Sequence, residues 1–529
     1  MMKKNIKYLA ILVLGLVACE PEFDNPIDEV GVYSSGEADF STYVALGNSL
    51  TAGYADNALY ITGQENSYPN ILSQQFAFAG GGEFTQPLMS DNTGGALLGG
   101  TQILDNRFVL AFDEEGNAVG PAIYAGATPT TEISANLGGS FNNMGVPGAK
   151  SFHLAAAGYG NVSLVADGLS NPYYARFASS GTSSVIEDAL AQNPTFFSLW
   201  IGNNDILGYA TSGGTGVNQD TEGNLDPTTY GGNDITNTDV FAATYNGLLE
   251  ALTANGAKGV VLNLPSVTSI PFFTTVPYAP LSPADPNFGP QIPTLNETYA
   301  GLNAAFAFLG VGDRAIEFST TEASPVVIVD ESLTDITDGL SAVLAGTFGA
   351  LAPIIAAQFG QARQATEDDL LLLTSSSLIG QLDTDRFAEL VALNVPEETA
   401  GQFSVIGVSL PLGDEYVLLP EEQSEIENAR NVYNATIEAL AGVYDLAFYD
   451  AAADLEQVAT TGYFSGGASL TSDFVTGGAF SLDGVHPTPR AHAFTANAIL
   501  DVIERKYETV LPRVDILDYG TITVNDEVN

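Results

Sequence analysis

The chain has few of the side chains on which several classes of protein depend. Its 529 residues include one cysteine and three histidines, so we expect neither a disulfide framework nor a histidine-rich metal site. Lysine and arginine together number 15 against 63 aspartates and glutamates, which gives a net charge of -48. Because such a surface repels polyanions, we expect no nucleic-acid partner and no charge-driven binding to acidic lipid head groups.

The excess of acidic residues leaves more than one interpretation open. A solvated acidic face suited to a saline environment is the favoured one, and a neutral substrate or incidental binding of divalent cations also fits. A hydrophobic content of 45% with 55 glycines and 26 prolines predicts a large core connected by many turns and long loops. We predict that the protein has no cofactor and no resident metal ion.

The N-terminus has the pattern of an export signal. Three lysines within the first seven residues precede the apolar run Tyr8–Val17, which is too short to span a bilayer. The run ends in Leu-Val-Ala-Cys at Cys19, which resembles a bacterial lipobox, where the cysteine is lipidated. An ordinary signal peptide with a chance cysteine is the alternative. We predict a signal peptide over residues 1–18 and a lipid anchor on Cys19.

An acidic tether is predicted to follow over residues 19–40. Its first residues, Glu-Pro-Glu-Phe-Asp after Cys19, resemble the surface-export signal of Bacteroidetes lipoproteins. This resemblance implies an outer-membrane lipoprotein that meets the membrane through its lipid, on the cell surface or on the periplasmic face.

Apolar runs alternate with helical patterns along residues 41–510. Amphipathic spacing predicts helices near 67–78, where Ser67 is the candidate N-cap, 239–254 and 421–443. This alternation is typical of an α/β fold with a parallel sheet. Five runs are candidate core strands: Tyr43–Leu46, Phe141–Pro147, Thr195–Ile201, Gly259–Leu264 and Leu446–Asp450.

Three segments interrupt the alternation, and we predict insertions at about 80–139, 208–238 and 278–420, with a C-terminal tail at 511–529. The longest insertion contains the apolar stretch Leu340–Phe359 and two predicted strands, Asp369–Thr374 and Gln402–Leu410. A lid or acyl-binding cap and a subdomain that only packs on the sheet are both open interpretations.

A candidate site residue follows each of three predicted strands. Ser49 comes directly after the first strand, in a Gly-Asn-Ser-Leu turn, and ligand sites in such sheets lie outside the carboxyl ends of the strands. Gly148 follows the second strand and would leave a backbone N–H free for a ligand. Asn204 lies in Gly-Asn-Asn-Asp after the third strand and could donate its amide N–H to an oxyanion. A second string with the same Gly-x-Asn-Asp pattern, Gly-Gly-Asn-Asp at 231–234, lacks a preceding strand and is rejected.

A serine nucleophile also needs a base and a carboxylate that orients it. Asp483 and His486 lie three residues apart in Asp-Gly-Val-His-Pro, just before a final helix that Thr488 could cap. His153 and His492 are the remaining histidines, and packing roles are favoured for both.

These blocks, in this order, resemble those of the SGNH/GDSL hydrolase family. The resemblance implies a three-layer αβα sandwich with a five-stranded parallel sheet and large insertions. It also implies that Ser49 is the nucleophile and first oxyanion donor, Gly148 and Asn204 the second and third donors, His486 the base and Asp483 its carboxylate. The chain departs from the family at Asn48, where Gly-Asp-Ser-Leu is usual.

The resemblance implies a serine esterase or lipase. The apolar stretch Leu340–Phe359 favours acyl or lipid esters as substrates. A carbohydrate O-acetylesterase is an alternative, and so is a surface binding lipoprotein whose chemistry has lapsed, for which Asn48 is the only hint.

Overall fold

A computed structural model describes residues 32–465, 467–524 and 528. The predicted signal peptide, Cys19 and the tether up to residue 31 lie outside the described residues. Among the helices of the described part, none combines the length and the hydropathy needed to cross a bilayer.

The fold is α/β, with a five-stranded parallel sheet. Each strand begins and ends within two residues of a predicted run. Four of the five runs are mostly apolar, as expected of strands that are covered on both faces. The strands are β1 (Tyr43–Gly47), β2 (Asn143–Gly145), β3 (Phe196–Trp200), β4 (Lys258–Leu262) and β5 (Ala447–Tyr449). Their order in the sheet is β5-β4-β3-β1-β2, so the first strand lies inside the sheet, between β2 and β3.

The helices of the scaffold are α1 (Ser49–Ala52), α2 (Tyr68–Ala77), α3 (Val185–Leu190), α4 (Asn204–Thr211), α5 (Thr238–Thr253), α6 (Pro420–Val443), α7 (Ala451–Thr460) and α8 (Pro489–Tyr507). Two pairs of these helices, α2 with α8 and α5 with α6, pack together, an arrangement compatible with a three-layer αβα sandwich. Ser67 is the N-cap residue of α2, as predicted, but its side chain makes no capping hydrogen bond.

The segments between these elements contain short strands and further helices. In the described residues, five two-stranded ladders pair Ala96–Leu98 with Thr101–Leu104, Phe108–Phe112 with Ala118–Ile123, Val327–Val329 with Ala362–Gln364, Leu370–Leu371 with Val417–Leu418, and Tyr463–Ser465 with Ala468–Leu470. The other α-helices of the described part are Ile61–Glu65, Pro172–Ala175, Pro271–Thr274, Ile292–Phe308, Thr337–Phe348, Ala352–Phe359, Thr384–Ala392 and Glu397–Gln402.

The region from Val276 to Leu419 has a hydrophobic cluster of its own, separate from the cluster around the sheet. The apolar stretch at 340–359 forms most of two helices that are broken where Gly349 takes φ +54°. The prediction of a strand over Gln402–Leu410 is wrong, because the chain turns back on itself at Gly407, whose N–H bonds the Leu410 carbonyl at 2.7 Å.

Candidate active site

The end of β1 presents Ser49 on a tight turn. A Cβ on Gly47 would clash with Thr51 Oγ1 and would lie 2.5 Å from the Trp200 carbonyl oxygen, so only glycine fits where β1 ends. Asn48 is the N-cap of α1, and its side-chain oxygen accepts the Leu50 N–H at 3.0 Å. Ser49 therefore occupies the first helical position, directly beyond the carboxyl edge of the sheet.

The structure joins the predicted nucleophile, base and carboxylate by two hydrogen bonds. Ser49 Oγ lies 2.9 Å from His486 Nε2, and His486 Nδ1 lies 2.8 Å from Asp483 Oδ2. The residues are 437 positions apart at the first of these contacts, so the fold, not local sequence, brings them together. This is the geometry in which an imidazole can take a proton from a hydroxyl while a carboxylate fixes its tautomer.

Asp483 is held as a carboxylate by its surroundings. Its oxygens accept backbone N–H groups from His486 at 2.8 Å, Val485 at 2.9 Å and Asn57 at 2.9 Å. Burial acts to raise the pKa of Asp483, but the charge and hydrogen bonds of His486, with the Asn57 N–H, outweigh it and lower the pKa to about 2. The side chain is therefore ionised at any pH above about 3.

Residues 146–151, which follow β2 and are called the Gly148 loop below, lie between β1 and Asn204. Val146 N–H bonds the Gly47 carbonyl at 3.0 Å, and Asn204 Nδ2 donates to the Ala149 carbonyl at 2.9 Å. Gly148 has φ +80°, and a Cβ there would come no closer than 3.9 Å to a neighbouring atom, so backbone conformation rather than space favours glycine. Within the described part of the chain, no hydrogen bond uses the backbone N–H of Gly148 or of Ser49.

Asp205 anchors this loop, a role that the sequence did not predict. Its carboxylate is fully buried and accepts both the backbone N–H of Ser151 at 2.8 Å and the Ser151 hydroxyl at 2.6 Å. The only signal for it was its place in the Gly-Asn-Asn-Asp string beside Asn204. Asp205 thus ties the Gly148 loop to the start of α4, which carries Asn204.

Asn48 has a clear structural role in this chain. Besides capping α1, it donates from Nδ2 to Asn203 Oδ1 at 3.2 Å, and its side chain is fully buried. The neutral amide thus serves as acceptor and donor at once, where a carboxylate could only accept. Asn48 therefore helps to fix the turn that presents Ser49.

The two other histidines have packing surroundings. His153 stacks on Tyr159 with ring centroids 4.5 Å apart, and burial, then the charge of Lys150, lowers its pKa to about 4. His492 lies in α8, accepts the Tyr68 N–H at 3.3 Å, and has a pKa lowered by burial to about 3. Neither has a carboxylate partner in the described part of the chain, so neither matches His486 as a base.

The Gly-Gly-Asn-Asp string at 231–234 lies in a loop, with no strand directly before it. Asp234 accepts the Gly231 N–H at 2.7 Å and the Gln219 amide at 2.6 Å, while Asn233 is exposed. These contacts close the loop on itself.

Ser49, Asn204 and His486 line one cavity of about 140 Å³. Gly148 does not line it, and Asp483 lies behind His486. The ring of Tyr54, which sequence reasoning missed, packs on His486 with centroids 4.7 Å apart. Most of the wall is apolar and comes from α1, β3, α4, the segment after β4, α7, the short strand Ala468–Leu470, the segment that follows this strand, and α8. Its apolar residues are Leu50, Trp200, Leu207, Val267, Ile270, Leu455, Val458, Leu470, Phe480 and Phe494.

One group of carboxylates in the described residues could hold a metal ion. Oxygens of Glu331, Asp414 and Glu422 lie within 4.8 Å of one another. Burial raises the pKa of Asp414 and of Glu422, and the nearby carboxylate of Glu331 raises both further. None of the three lines the Ser49 cavity, so the group has no part in the geometry around Ser49.

Comparisons of the chain with protein-family models, with curated proteins and with solved structures found no match. The interpretation of the site therefore depends on its own geometry.

Proposed function

We propose that the protein is a serine ester hydrolase with Ser49 as its nucleophile, on a scaffold of the SGNH/GDSL type. The observation that carries the proposal is the hydrogen-bonded series from Asp483 through His486 to Ser49 Oγ, at 2.8 and 2.9 Å. Turnover of p-nitrophenyl acetate by the purified protein, compared with Ser49→Ala, tests it directly.

In the proposed reaction, Ser49 Oγ attacks the ester carbonyl carbon while His486 Nε2 takes its proton. Asp483 accepts the Nδ1–H of the imidazolium that forms and stabilises its charge. His486 then protonates the leaving alcohol as the carbon–oxygen bond breaks, which leaves an acyl-serine. Water, deprotonated by His486, attacks this acyl group and releases the carboxylic acid, and Ser49 regains its proton.

Three donors are proposed for the tetrahedral oxyanion, two from residues that line the cavity, Ser49 and Asn204, and one from Gly148, which lies outside its lining. The N–H groups of Ser49 and Gly148 have no acceptor in the described chain, and the Asn204 amide uses one hydrogen on the Ala149 carbonyl and keeps the other. Uncharged donors stabilise the oxyanion without binding the carboxylate product through a full charge.

We expect Asn204→Ala to lower kcat by roughly 10²-fold with little change in KM, because the lost donor acts on charge that develops in the transition state. Asn233→Ala, in the second copy of the string, is the matched control and should keep the wild-type kcat. Steady-state kinetics on p-nitrophenyl acetate measure both. Equal rates for the two variants would remove Asn204 from the proposed oxyanion hole.

The Ser49 cavity favours a short acyl group. Sites for drug-sized ligands occupy about 300–1,000 Å³, whereas this cavity measures about 140 Å³. The apolar stretch at 340–359, which favoured lipid esters, contributes Phe348, Ile355 and Phe359 to a separate cavity of about 920 Å³. Its composition therefore does not bear on the acyl group bound at Ser49.

Among p-nitrophenyl esters we expect kcat/KM for the acetyl and butyryl esters to exceed that of the octanoyl ester by about tenfold or more, since an overfilled apolar pocket forces its walls apart. The series is measured below the critical micelle concentration of the octanoyl ester. A preference for octanoyl would instead support a lipid ester.

A lipid anchor on Cys19 and an outer-membrane location are part of the same proposal. The first described residues pair with the end of the scaffold, where Ser34 and Val510 exchange backbone hydrogen bonds at 3.0 and 2.8 Å. The tether would thus meet the hydrolase beside the end of α8.

A further inference from the structure

Asp56 and Asn57, shortly after Tyr54, take an unusual backbone conformation. They lie next to the loop 481–486, which carries Asp483 and His486. Asp56 and Asn57 have φ of +52° and +61°, a region that residues other than glycine adopt at an energetic cost. Such strain persists where the surrounding structure holds it in place. Here the holding contacts are with residues 481–483.

Asp56 contacts this loop through both its backbone and its side chain. Its N–H donates to Ser481 Oγ at 2.9 Å, and its Oδ1 accepts the Leu482 N–H at 2.9 Å. Because Ser481 Oγ accepts from Asp56, its own proton is directed to Asp483 Oδ1, 3.0 Å away. Asn57 completes the set with its N–H to Asp483 Oδ2 at 2.9 Å.

Arg107 balances the charge of Asp56. Its Nη2 lies 2.5 Å from Asp56 Oδ2, and its guanidinium stacks 3.6 Å above the ring of Tyr60. Asp56 and Arg107 are 3% and 2% exposed, so each charge is stabilised mainly by the other and hardly by water. Arg107 belongs to the insertion at 80–139, and its Nη2 also donates to Thr523 of the C-terminal tail at 2.7 Å.

Arg107 also offsets the repulsion between two buried carboxylates, those of Asp56 and Asp483. Burial, then repulsion by Asp483, raises the pKa of Asp56, while the charge of Arg107 and the Leu482 N–H act against that rise. Without Arg107, the carboxylates of Asp56 and Asp483 would lie near one another with no buried arginine to offset their charges. Asp483 would then lose part of the fixed surroundings that orient it toward His486.

We infer that Asp56 and Arg107 are positioning residues that hold the 481–486 loop so that His486 faces Ser49. The inference rests on the proposed function, because positioning has meaning only if Ser49 and His486 react. It assigns a role in the site to the 80–139 insertion and to the tail, which supply Arg107 and its contact Thr523.

The test compares Asp56→Asn with the loss of a buried carboxylate elsewhere. In the 278–420 insertion, Asp330 is 3% exposed and its Oδ2 lies 2.5 Å from Arg363 Nε, so Asp330→Asn removes a buried carboxylate beside an arginine away from Ser49, while Arg363 keeps its contact with Asp369. We expect both variants to lose thermal stability. Only Asp56→Asn should lower kcat, by about 10–100-fold, with KM within about twofold of wild type.

Ser481→Ala provides a second variant that removes no buried charge and keeps the inference testable if Asp56→Asn does not fold. It should lower kcat by about threefold to tenfold, because Asp483 loses one directed hydrogen bond. Rates are measured on p-nitrophenyl acetate well below each melting temperature and normalised to the concentration of folded protein.

Wild-type kcat in Ser481→Ala, or equal kcat values for Asp56→Asn and Asp330→Asn, would overturn the inference and leave the proposed function standing. Absence of turnover in the wild-type protein would overturn both the inference and the proposed function. An active wild-type protein whose rate is unchanged by the substitutions would overturn the inference alone.

Discussion

Replacing Ser49 with alanine is expected to lower ester turnover by roughly 10⁴–10⁶-fold and to leave the fold unchanged. The hydroxyl is the atom that would form the acyl-enzyme bond, and His486 has no other nucleophile within hydrogen-bonding distance in the described chain. Alanine suits the first position of α1, and the Asn48 cap does not involve the Ser49 side chain. The variant thus removes the proposed chemistry without disturbing the turn.

Steady-state rates on p-nitrophenyl acetate and thermal melts of Ser49→Ala measure this effect. Ser424→Ala is the control, because Ser424 is an exposed serine of α6 whose hydroxyl bonds only the Pro420 carbonyl. A rate for Ser49→Ala within a few-fold of wild type would rule out Ser49 as the nucleophile.

Asp483→Asn is expected to produce the second largest loss, roughly 10³–10⁴-fold in kcat. An asparagine would place an N–H donor against the Nδ1 of His486 or against the backbone N–H groups that Asp483 now accepts. The imidazole would lose its fixed tautomer and the charge that stabilises its protonated form. Asp445→Asn, which changes an exposed carboxylate, is the control and should keep full activity.

The same substitution should change the pH dependence of stability. The folded pKa of Asp483 is lowered to about 2, so its contribution is present above the unfolded value near 3.8 and is lost as the pH falls through 2. Asp483→Asn should therefore cost about 2 kcal/mol at neutral pH and progressively less under acid. Urea unfolding at several pH values gives this difference. A pH-independent difference would contradict the assigned cause.

Most of the sheet could be predicted from the sequence because four of its five strands lie in mostly apolar runs; the second, Asn143–Gly145, does not. Phe196–Trp200 and Lys258–Leu262 lie within the core and match their predicted runs closely. The segment Gln402–Leu410 has strand-like composition, yet Gly407 at φ +72° turns the chain back before a ladder can form. Local composition alone could not distinguish the two outcomes.

The site was only partly visible in the sequence for a similar reason. Ser49, Asn204 and His486 each lie next to a recognisable strand or helix boundary, so their order along the chain pointed to them. Asp56 contacts Leu482 across 426 positions, and Arg107 comes from an insertion without a clear pattern. Tertiary packing alone brings these residues together, and no spacing in the sequence indicates it.

Labelling with a fluorophosphonate probe, followed by peptide mapping, tests the central claim most directly. The account predicts one equivalent of label on Ser49 in the wild-type protein, none in Ser49→Ala and much slower labelling in Asp483→Asn. Absence of label in the folded wild-type protein, or label that persists in Ser49→Ala, would contradict it.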